Sequence, residues 1–457
     1  MTGKLNIVFV SLAQNQSRFF EMVGRSMAQA GYSIVHVCFH EGAVRELREH
    51  GCEAFNPYEY QVASKGQVCF GDYGIPNPAL LLGHEKAAYE LSDTKALELK
   101  FKGHLATMDA ILRSLLERGG RWCVVQELGG FTSVLAAYFS ARRLGLDNWF
   151  IEPSFFRGRL FFTPNTFAAP LVQASDAPAS DEVRATLERI LKNQSVVVPV
   201  KDRLHYRGAS KKLLDFNNYR RLFEKVVSKY VRGEREEFEH IGGHVERHLR
   251  MFINSKKNAR YYSDEAGGHP FIYYPLHVPA DFALTIRSPE YLDQYSLIDY
   301  LCRIAPLGYR VVIKEHPALV GAVHPHRIRE LFNRHDNLTM LSPGVNNHRV
   351  LATAAAVVTV NSKSGAEALL HGTPVVVLGN AFYEDCPLVY RVAGLAGLHD
   401  ALSRALDPAL AYDSEAALPF FQAVWDASCP AELYDLTPDN VTSFSHSLAR
   451  LLGPGSL

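Results

Sequence analysis

Tyr309-Arg310-Val311-Val312-Ile313-Lys314-Glu315-His316-Pro317 is the stretch whose reading decides the fold. Its apolar half reads as a buried strand, and Lys314-Glu315-His316-Pro317 is what that strand delivers at its end. Downstream, Ala354-Ala355-Ala356-Val357-Val358-Thr359-Val360 reads as a second strand. It runs into Asn361-Ser362-Lys363-Ser364-Gly365 and the helix-like Ala366-Glu367-Ala368-Leu369-Leu370-His371-Gly372. A third run, Pro374-Val375-Val376-Val377-Leu378, closes at Gly379. Short apolar runs alternating with helical patterns indicate a parallel sheet covered on both faces, and such sheets bind ligands beyond the carboxyl ends of their strands. A Ser-x-Ser-Gly turn opening a helix offers hydroxyls and backbone N–H groups to an anion, and His316 adds a charge-assisted hydrogen bond or a proton. This is the pattern of a nucleotide-phosphate site. Each piece has a plainer alternative: Ser362 as a helix cap, and Pro317 as the end of a strand.

Working outward, 457 residues suggest two domains, each with its own core. The expected division is 1–200, a basic helical insertion or linker at 201–260, and 261–457, with the last helix free to pack back on the first domain. Lys+Arg and Asp+Glu both number 48, so charge does not mark the whole chain as a polyanion binder. The seven cysteines (Cys38, Cys52, Cys69, Cys123, Cys302, Cys386 and Cys429) form no Cys-x-x-Cys pair, and several lie in apolar runs, as reduced cysteines do. No signal-like leader and no apolar run near the ~20 residues of a membrane span is visible, so a cytoplasmic protein is expected.

The N-terminal half begins β-α-β: Ile7–Val10, a helix to about Ala30, then Ile34–Phe39. It lacks Gly-x-Gly-x-x-Gly, which argues against a dinucleotide site there. Trp122-Cys123-Val124-Val125 ends on Gln126-Glu127, and Trp149-Phe150-Ile151 ends on Glu152. Glu152 precedes Pro153-Ser154-Phe155-Phe156-Arg157-Gly158-Arg159, a loop of aromatic and cationic residues. A carboxylate at a strand end in a cleft suits general acid–base work. The alternative is a carboxylate that ties down its own loop through Arg157 or Arg159. Glu127 occupies an equivalent place with a weaker claim, and Gln126, Glu127, Arg157, Arg159 and His277 are secondary or acceptor-side candidates.

Val196–Val200 reads as a last strand of the first domain. From Lys201 to Arg260 the chain holds 16 Lys/Arg against 8 Asp/Glu, a local excess of eight positive charges. Apolar residues recur at helical spacing from Tyr219 to Tyr230, so this segment reads either as a basic amphipathic insertion fit for an anionic membrane surface or as a solvated hairpin bridging two domains. No aromatic-basic motif accompanies it, so nucleic acid is not expected as a partner. The second domain starts near Phe271-Ile272-Tyr273-Tyr274-Pro275-Leu276-His277-Val278-Pro279-Ala280-Asp281. Asp281 falls at the end of its first strand, at the edge shared with His316 and Ser364, where a carboxylate suits glycosyl transfer. The alternative is an aspartate capping the turn before Phe282.

On Phe150-Ile151-Glu152-Pro153, Pro275–Asp281, Lys314–Pro317 and Asn361–Val377, the chain resembles the bacterial capsule polysaccharide biosynthesis family that includes the retaining β-Kdo transferases. The resemblance implies an α/β fold of GT-B type: two Rossmann-type domains facing a cleft. It implies a glycosyltransferase of capsule-type polysaccharide with a CMP-activated donor such as CMP-Kdo as substrate, no separate cofactor, and a glycan or glycolipid acceptor. In that reading Lys314, His316, Pro317, Ser362, Ser364, Gly365 and Glu367 hold the nucleotide. Glu152 is acid/base, Asp281 the nucleophile, and His316 assists at the phosphate. No Asp-x-Asp pair occurs, so no metal site is expected. The chain departs from the family at His277, where glutamine is frequent, and at Pro153, where a Gly-rich turn is frequent. A UDP-sugar-dependent transferase, a sugar-nucleotide epimerase or hydrolase, and a noncatalytic assembly or export partner are the alternatives. A peripheral place on the inner face of the cytoplasmic membrane is also compatible with the basic segment.

Overall fold

Two seven-stranded sheets organise the chain. The computed structural model describes residues 5–60, 68–173, 178–194, 220, 223, 225–238, 241–409 and 413–453. The expected strand Val196–Val200 and residues 201–219 of the basic segment lie outside the described residues.

The first sheet contains β1 (Leu5–Ser11), β2 (Ser33–Cys38), β3 (Ala54–Phe55), β4 (Arg121–Glu127), β5 (Asp147–Pro153) and β6 (Arg159–Pro164). Its order is β14-β6-β5-β4-β1-β2-β3, where β14 is the late segment Cys429–Pro430. The strands from β3 to β5 run parallel, and β6 and β14 are added antiparallel. The second sheet contains β7 (Tyr262–Ser263), β8 (Phe271–Pro275), β9 (Arg310–Lys314), β10 (Leu338–Leu341), β11 (Ala356–Thr359), β12 (Val375–Val377) and β13 (Val389–Arg391). It is parallel throughout, in the order β13-β12-β11-β8-β9-β10-β7. Strands β10-β9-β8-β11-β12-β13 have the order of a doubly wound Rossmann sheet, so its switch point lies between β8 and β11. The two-domain GT-B-like architecture follows from this pair of sheets.

The strands form because their side chains are apolar on both faces. In β9, Val311 and Ile313 enter one core and Val312 the other, so neither face meets water. The helix Gln14–Gln29 turns Phe19, Phe20, Val23 and Met27 to the first sheet. The final helix Pro438–Leu452 packs on this same helix, Phe444 meeting Phe19 edge-to-face at 5.1 Å. The chain therefore returns to the first sheet twice, through β14 and through this helix.

Packing does not divide at residue 200. The helix Asp181–Asn193 puts Val183 and Leu187 into the cluster that holds Tyr273, Val312 and Val357 of the second sheet, together with Phe420 and Phe421 of the helix Leu418–Ala427. Phe155 and Phe156 enter the same cluster. The crossover is thus made soon after β6, because the aromatic loop finds its apolar partners beneath the second sheet.

Among the described part of the basic segment, residues 234–237 are clipped to the first domain. Glu234 pairs with Arg45 at 2.6 Å, and Glu237 with Lys100 at 2.7 Å, while Lys100 also meets Glu85 at 2.9 Å. Burial alone would lower the Lys100 ammonium, but Glu237 and Glu85 outweigh it and hold the group above the ordinary lysine range.

Candidate functional site

The crevice at the β8/β11 switch point is closed underneath by His277. Its Nε2 accepts from the backbone N–H of Val360 at 3.2 Å and lies 3.2 Å from the Thr359 hydroxyl. The backbone N–H of His277 donates to Gln294 Oε1 at 2.7 Å. An Nε2 that accepts places the ring proton of the neutral imidazole on Nδ1. Burial pushes the imidazole down to about 4, against the pull of Asp281 and with a further push from His316. His277, read from sequence as an acceptor-side candidate, is a neutral core residue that joins the two strand ends.

One layer above, the carboxyl ends of β8, β9 and β11 gather a buried polar group. Lys314 ends β9 on the face that carries Val312, and it is 5 % exposed. Burial lowers its ammonium to about 8, with Glu367 pulling the other way. Glu367 is 2 % exposed and accepts from Asn347 Nδ2 at 3.0 Å. Asn347 Nδ2 also reaches Ser364 Oγ at 3.3 Å, and its Oδ1 accepts from the Tyr273 hydroxyl at 2.8 Å. Glu367, Asn347, Tyr273 and Ser364 are one hydrogen-bonded polar group, and the buried Lys314 ammonium feels the Glu367 charge.

The serine-glycine turn is built as a cap. Ser362 Oγ accepts from Ser364 N–H at 3.2 Å, and the helix that follows, Lys363–Leu369, is seven residues long. Gly365 is required by packing: a Cβ there would lie 2.3 Å from the Tyr383 hydroxyl, which itself donates to the Ser362 carbonyl at 2.6 Å. His316 caps the short turn Pro317–Leu319, its Nδ1 accepting from Ala318 N–H at 3.3 Å. That bond leaves the Nε2–H of a neutral ring as its donor. Between these residues Glu315 is buried, its carboxyl raised by burial; it accepts from the Tyr262 hydroxyl at 2.6 Å and holds the loop at Gly321 N–H.

The two domains meet beside the end of β11. Arg287 grips Glu152 with both terminal nitrogens, at 2.6 and 3.1 Å, and donates its Nε–H to the Phe167 carbonyl at 2.6 Å. Sequence offered Arg157 and Arg159 as the cations that tie down Glu152; the partner is instead Arg287, from the facing domain. Lys363 Nζ reaches the Ser154 carbonyl at 3.1 Å. Asn361 Nδ2 fastens the arginine-bearing turn to the end of β11, donating to the Ala283 carbonyl at 2.6 Å and the Ser288 hydroxyl at 3.2 Å.

Asp281 is exposed and caps the turn Phe282–Thr285, its Oδ1 accepting from Ala283 N–H at 3.0 Å. The local alternative read from sequence is therefore the geometry it adopts. Its neighbour across the cleft is His84. That ring makes a 2.9 Å hydrogen bond to the Thr285 hydroxyl, which donates to the Asp281 carbonyl at 2.8 Å. Burial lowers His84 to about 4, opposed by Asp281 and Glu85. A Cβ at Gly130 would come within 2.4 Å of the His84 ring, so the glycine makes room for it.

The remaining candidates lie away from the cleft floor. Gln126 is fully buried and bonds to Asn148 Oδ1 at 2.7 Å. Glu127 closes the switch point of the first sheet, accepting from Gln16 Nε2 at 2.8 Å and from the Tyr434 hydroxyl. Arg159 stacks on Trp425, 4.1 Å from ring centre to guanidinium carbon, and bonds to Ser428, so its cation fastens the C-terminal segment. Arg157 stands exposed at the loop apex. Of the sequence-read residues, Ser364 and Glu367 share Asn347, Lys314 is buried within reach of the Glu367 charge, Glu152 is held by Arg287 of the facing domain, and Asp281 and His316 both act electrostatically on His277. Arg287, His84, Asn347 and Tyr273 were not read from sequence. The Gly129-Gly130 pair was the one local hint of His84.

The chain is similar to several known proteins. Residues 182–392 match the capsule polysaccharide biosynthesis family. The match spans β8 through β13 and includes Lys314, His316, Ser364 and Glu367. Protein FixF of Sinorhizobium fredii (strain NBRC 101917 / NGR234) is 33 % identical over 139 residues, 29 % of this chain and 32 % of that protein, so the chain spans about a third of the length of this curated relative. Among solved structures, the Thermosulfurimonas dismutans KpsC β-Kdo 2,7-transferase overlaps 83 % of this chain and 98 % of its own at 15 % identity, with a TM-score of 0.33. UDP-GlcNAc 2-epimerase from Neisseria meningitidis overlaps 98 % and 99 % at 11 % identity, with a TM-score of 0.28. At that level of overlap the neighbours do not separate one chemistry from another. Among the described residues no helix is long and apolar enough to cross a membrane.

Proposed function

We propose that the chain is a capsule-type glycosyltransferase that takes its sugar from a nucleotide-activated donor, with CMP-Kdo as the donor and a glycan or glycolipid as the acceptor. The observations that carry this reading are the Glu152–Arg287 pair between the two domains and, at the strand ends of the second sheet, the buried Lys314 with the Glu367–Asn347–Ser364 group. A cation with a carboxylate and an amide beside it suits a nucleotide phosphate and ribose. An acid/base on the facing wall suits an acceptor hydroxyl.

In this scheme Lys314 and the His316 Nε2–H face the donor phosphate, and Glu367 stays beneath the nucleotide. Asp281 turns off its cap and attacks the anomeric carbon; the bond to the phosphate oxygen breaks and CMP leaves with the electron pair. Glu152, released from Arg287, takes the acceptor hydroxyl proton as that oxygen displaces Asp281, giving retention.

The test is thermal unfolding of the full chain with CMP, a CMP-sugar, UDP and a UDP-sugar, without added metal. A ligand at a hundred times its Kd stabilises by about 2.7 kcal/mol. Selective stabilisation by CMP, lost in His316→Ala and Ser364→Ala, is the expected result. A UDP-selective shift overturns the donor, and no shift with any nucleotide overturns the transferase reading in favour of a noncatalytic partner.

A further inference from the structure

Arg247 and Arg250 tie the helix Ile241–Asn258 to the Ala88 carbonyl and Glu90 of the first domain, and the helix is fastened along one face to the second domain. Met251, Asn254 and Asn258 are buried there; Asn254 Nδ2 donates to the Gly321 carbonyl and Asn258 Nδ2 to the Val323 carbonyl, both at 3.1 Å. Gly321 admits the helix because a Cβ in its place would lie 1.9 Å from the Met251 carbonyl.

Positions 249, 253, 256 and 260 recur at the spacing of a single stripe on the opposite face. That stripe carries Leu249, 57 % exposed, and Ile253, 43 % exposed, followed by Lys256, Lys257 and Arg260. Beside it the helix Pro325–Arg334 adds His326 and Arg329. Together Lys256, Lys257, Arg260, Pro325, His326 and Arg329 line an open groove of about 470 Å³, with no carboxylate among its described lining residues. Most arginines of the first domain are paired, whereas Lys256, Lys257, Arg260 and Arg329 make no salt bridge among the described residues; Lys256 lies over the Phe252 ring and Arg260 over the Tyr261 ring. The nearest acid on the stripe is Glu246, one turn before Leu249 and spent on Arg250.

We propose that this face is a docking surface for an anionic lipid bilayer. The cations sit where they meet headgroup phosphates, and Leu249 and Ile253 stand clear to enter the acyl boundary. A soluble polyanion would use the cations and leave the two aliphatic side chains in water, which is why the bilayer is the better fit. The inference goes beyond the donor reading and does not rest on it, since none of these residues lines the cleft.

Co-sedimentation of the full chain with vesicles tests it, comparing phosphatidylcholine alone with phosphatidylcholine containing phosphatidylglycerol. The wild type is expected to bind the anionic vesicles and not the neutral ones. Each cation near such a surface contributes roughly fivefold to binding. Lys256→Gln, Lys257→Gln, Arg260→Gln and Arg329→Gln combined should therefore cut it at least a hundredfold, about 2.7 kcal/mol on the same scale. Leu249→Ser with Ile253→Ser should weaken it about tenfold, with thermal unfolding confirming that both variants fold. Absence of wild-type binding, or binding by the fourfold variant at wild-type strength, overturns the proposal. Loss on the fourfold change with none on the aliphatic pair also overturns it, and points to a soluble polyanion.

Discussion

Arg287 and Glu152, 135 residues apart in sequence, form a bidentate pair that joins the two domains across the cleft. The arginine side chain is 8 % exposed and the glutamate 17 %, so water screens the pair little. Removing one partner strands the other charge. Arg287→Met is expected to destabilise the chain by about 2–4 kcal/mol, somewhat less than a fully buried pair because Glu152 retains some water. Glu152→Gln keeps the shape and a hydrogen bond but leaves the Arg287 charge without its counter-charge, so it should cost about 2–3 kcal/mol while lowering sugar transfer by about 10²–10⁴. Urea unfolding and a donor-consumption assay read the two effects separately. A fully active Glu152→Gln variant would remove Glu152 from the reaction, and an unshifted Arg287→Met midpoint would show that the pair does not hold the domains.

Lys314 predicts how donor binding depends on pH. Its folded pKa, about 8, lies below the ordinary 10.5. The ammonium is charged in both states below pH 8. Between 8 and 10.5 the folded chain has released a proton that the unfolded chain still holds, so this group makes stability rise with pH in that window. Donor affinity should move the other way, because phosphate pairs with the protonated form. Isothermal titration should show CMP affinity level from pH 6 to 7 and falling up to about tenfold per unit above pH 8. In Lys314→Met the affinity should be weaker and flat with pH. An unchanged slope in that variant would place the phosphate elsewhere.

The sheets were legible because parallel strands are apolar on both faces: Val311-Val312-Ile313 and Val375-Val376-Val377 cannot be read as half-exposed. The places of Lys314 and Ser364 were legible for a related reason, since polar residues following such apolar runs fall at the carboxyl edge of the sheet. Arg287 was not, because it follows a four-residue turn with no periodicity and its partner belongs to another domain. The domain border failed at the helix Asp181–Asn193, whose amphipathic pattern says that it buries a face without saying against which sheet. His277 was misplaced because a histidine near a strand end looks the same whether its ring meets a ligand or a backbone N–H.

His277 makes a prediction of its own. Its folded pKa near 4 lies below the ordinary 6.5, so as pH falls from 6.5 toward 4 the unfolded chain takes up a proton that the folded one refuses. Stability is lost over that window, by roughly 3 kcal/mol for a shift of this size. A glutamine amide oxygen can accept from Val360 N–H in place of Nε2 and does not titrate. His277→Gln should therefore fold at pH 7 and lose part of the acid lability, with His84, also near 4, retaining its share. Chemical unfolding at pH 7, 6 and 5 measures it; parallel wild-type and variant curves would mean that the ring is not the group that resists protonation.

Gly365 sets helix propensity against packing. Alanine in a helix is favoured over glycine by about 1 kcal/mol, so propensity alone predicts that Gly365→Ala stabilises. The new Cβ, however, would stand 2.3 Å from the Tyr383 hydroxyl and 2.6 Å from its Cζ, and Tyr383 is fully buried between the turn and the core. The ring cannot withdraw without breaking its bond to the Ser362 carbonyl, so the clash should win and destabilise by about 1–3 kcal/mol. Because the displaced turn carries Ser362 and Ser364, CMP binding should weaken along with the fold. Tyr383→Phe removes the nearest atom and should recover part of the lost stability when combined with Gly365→Ala, while costing stability alone through the lost hydrogen bond. Thermal unfolding of the four members of this cycle decides it: additive effects would mean that the two residues do not press on one another.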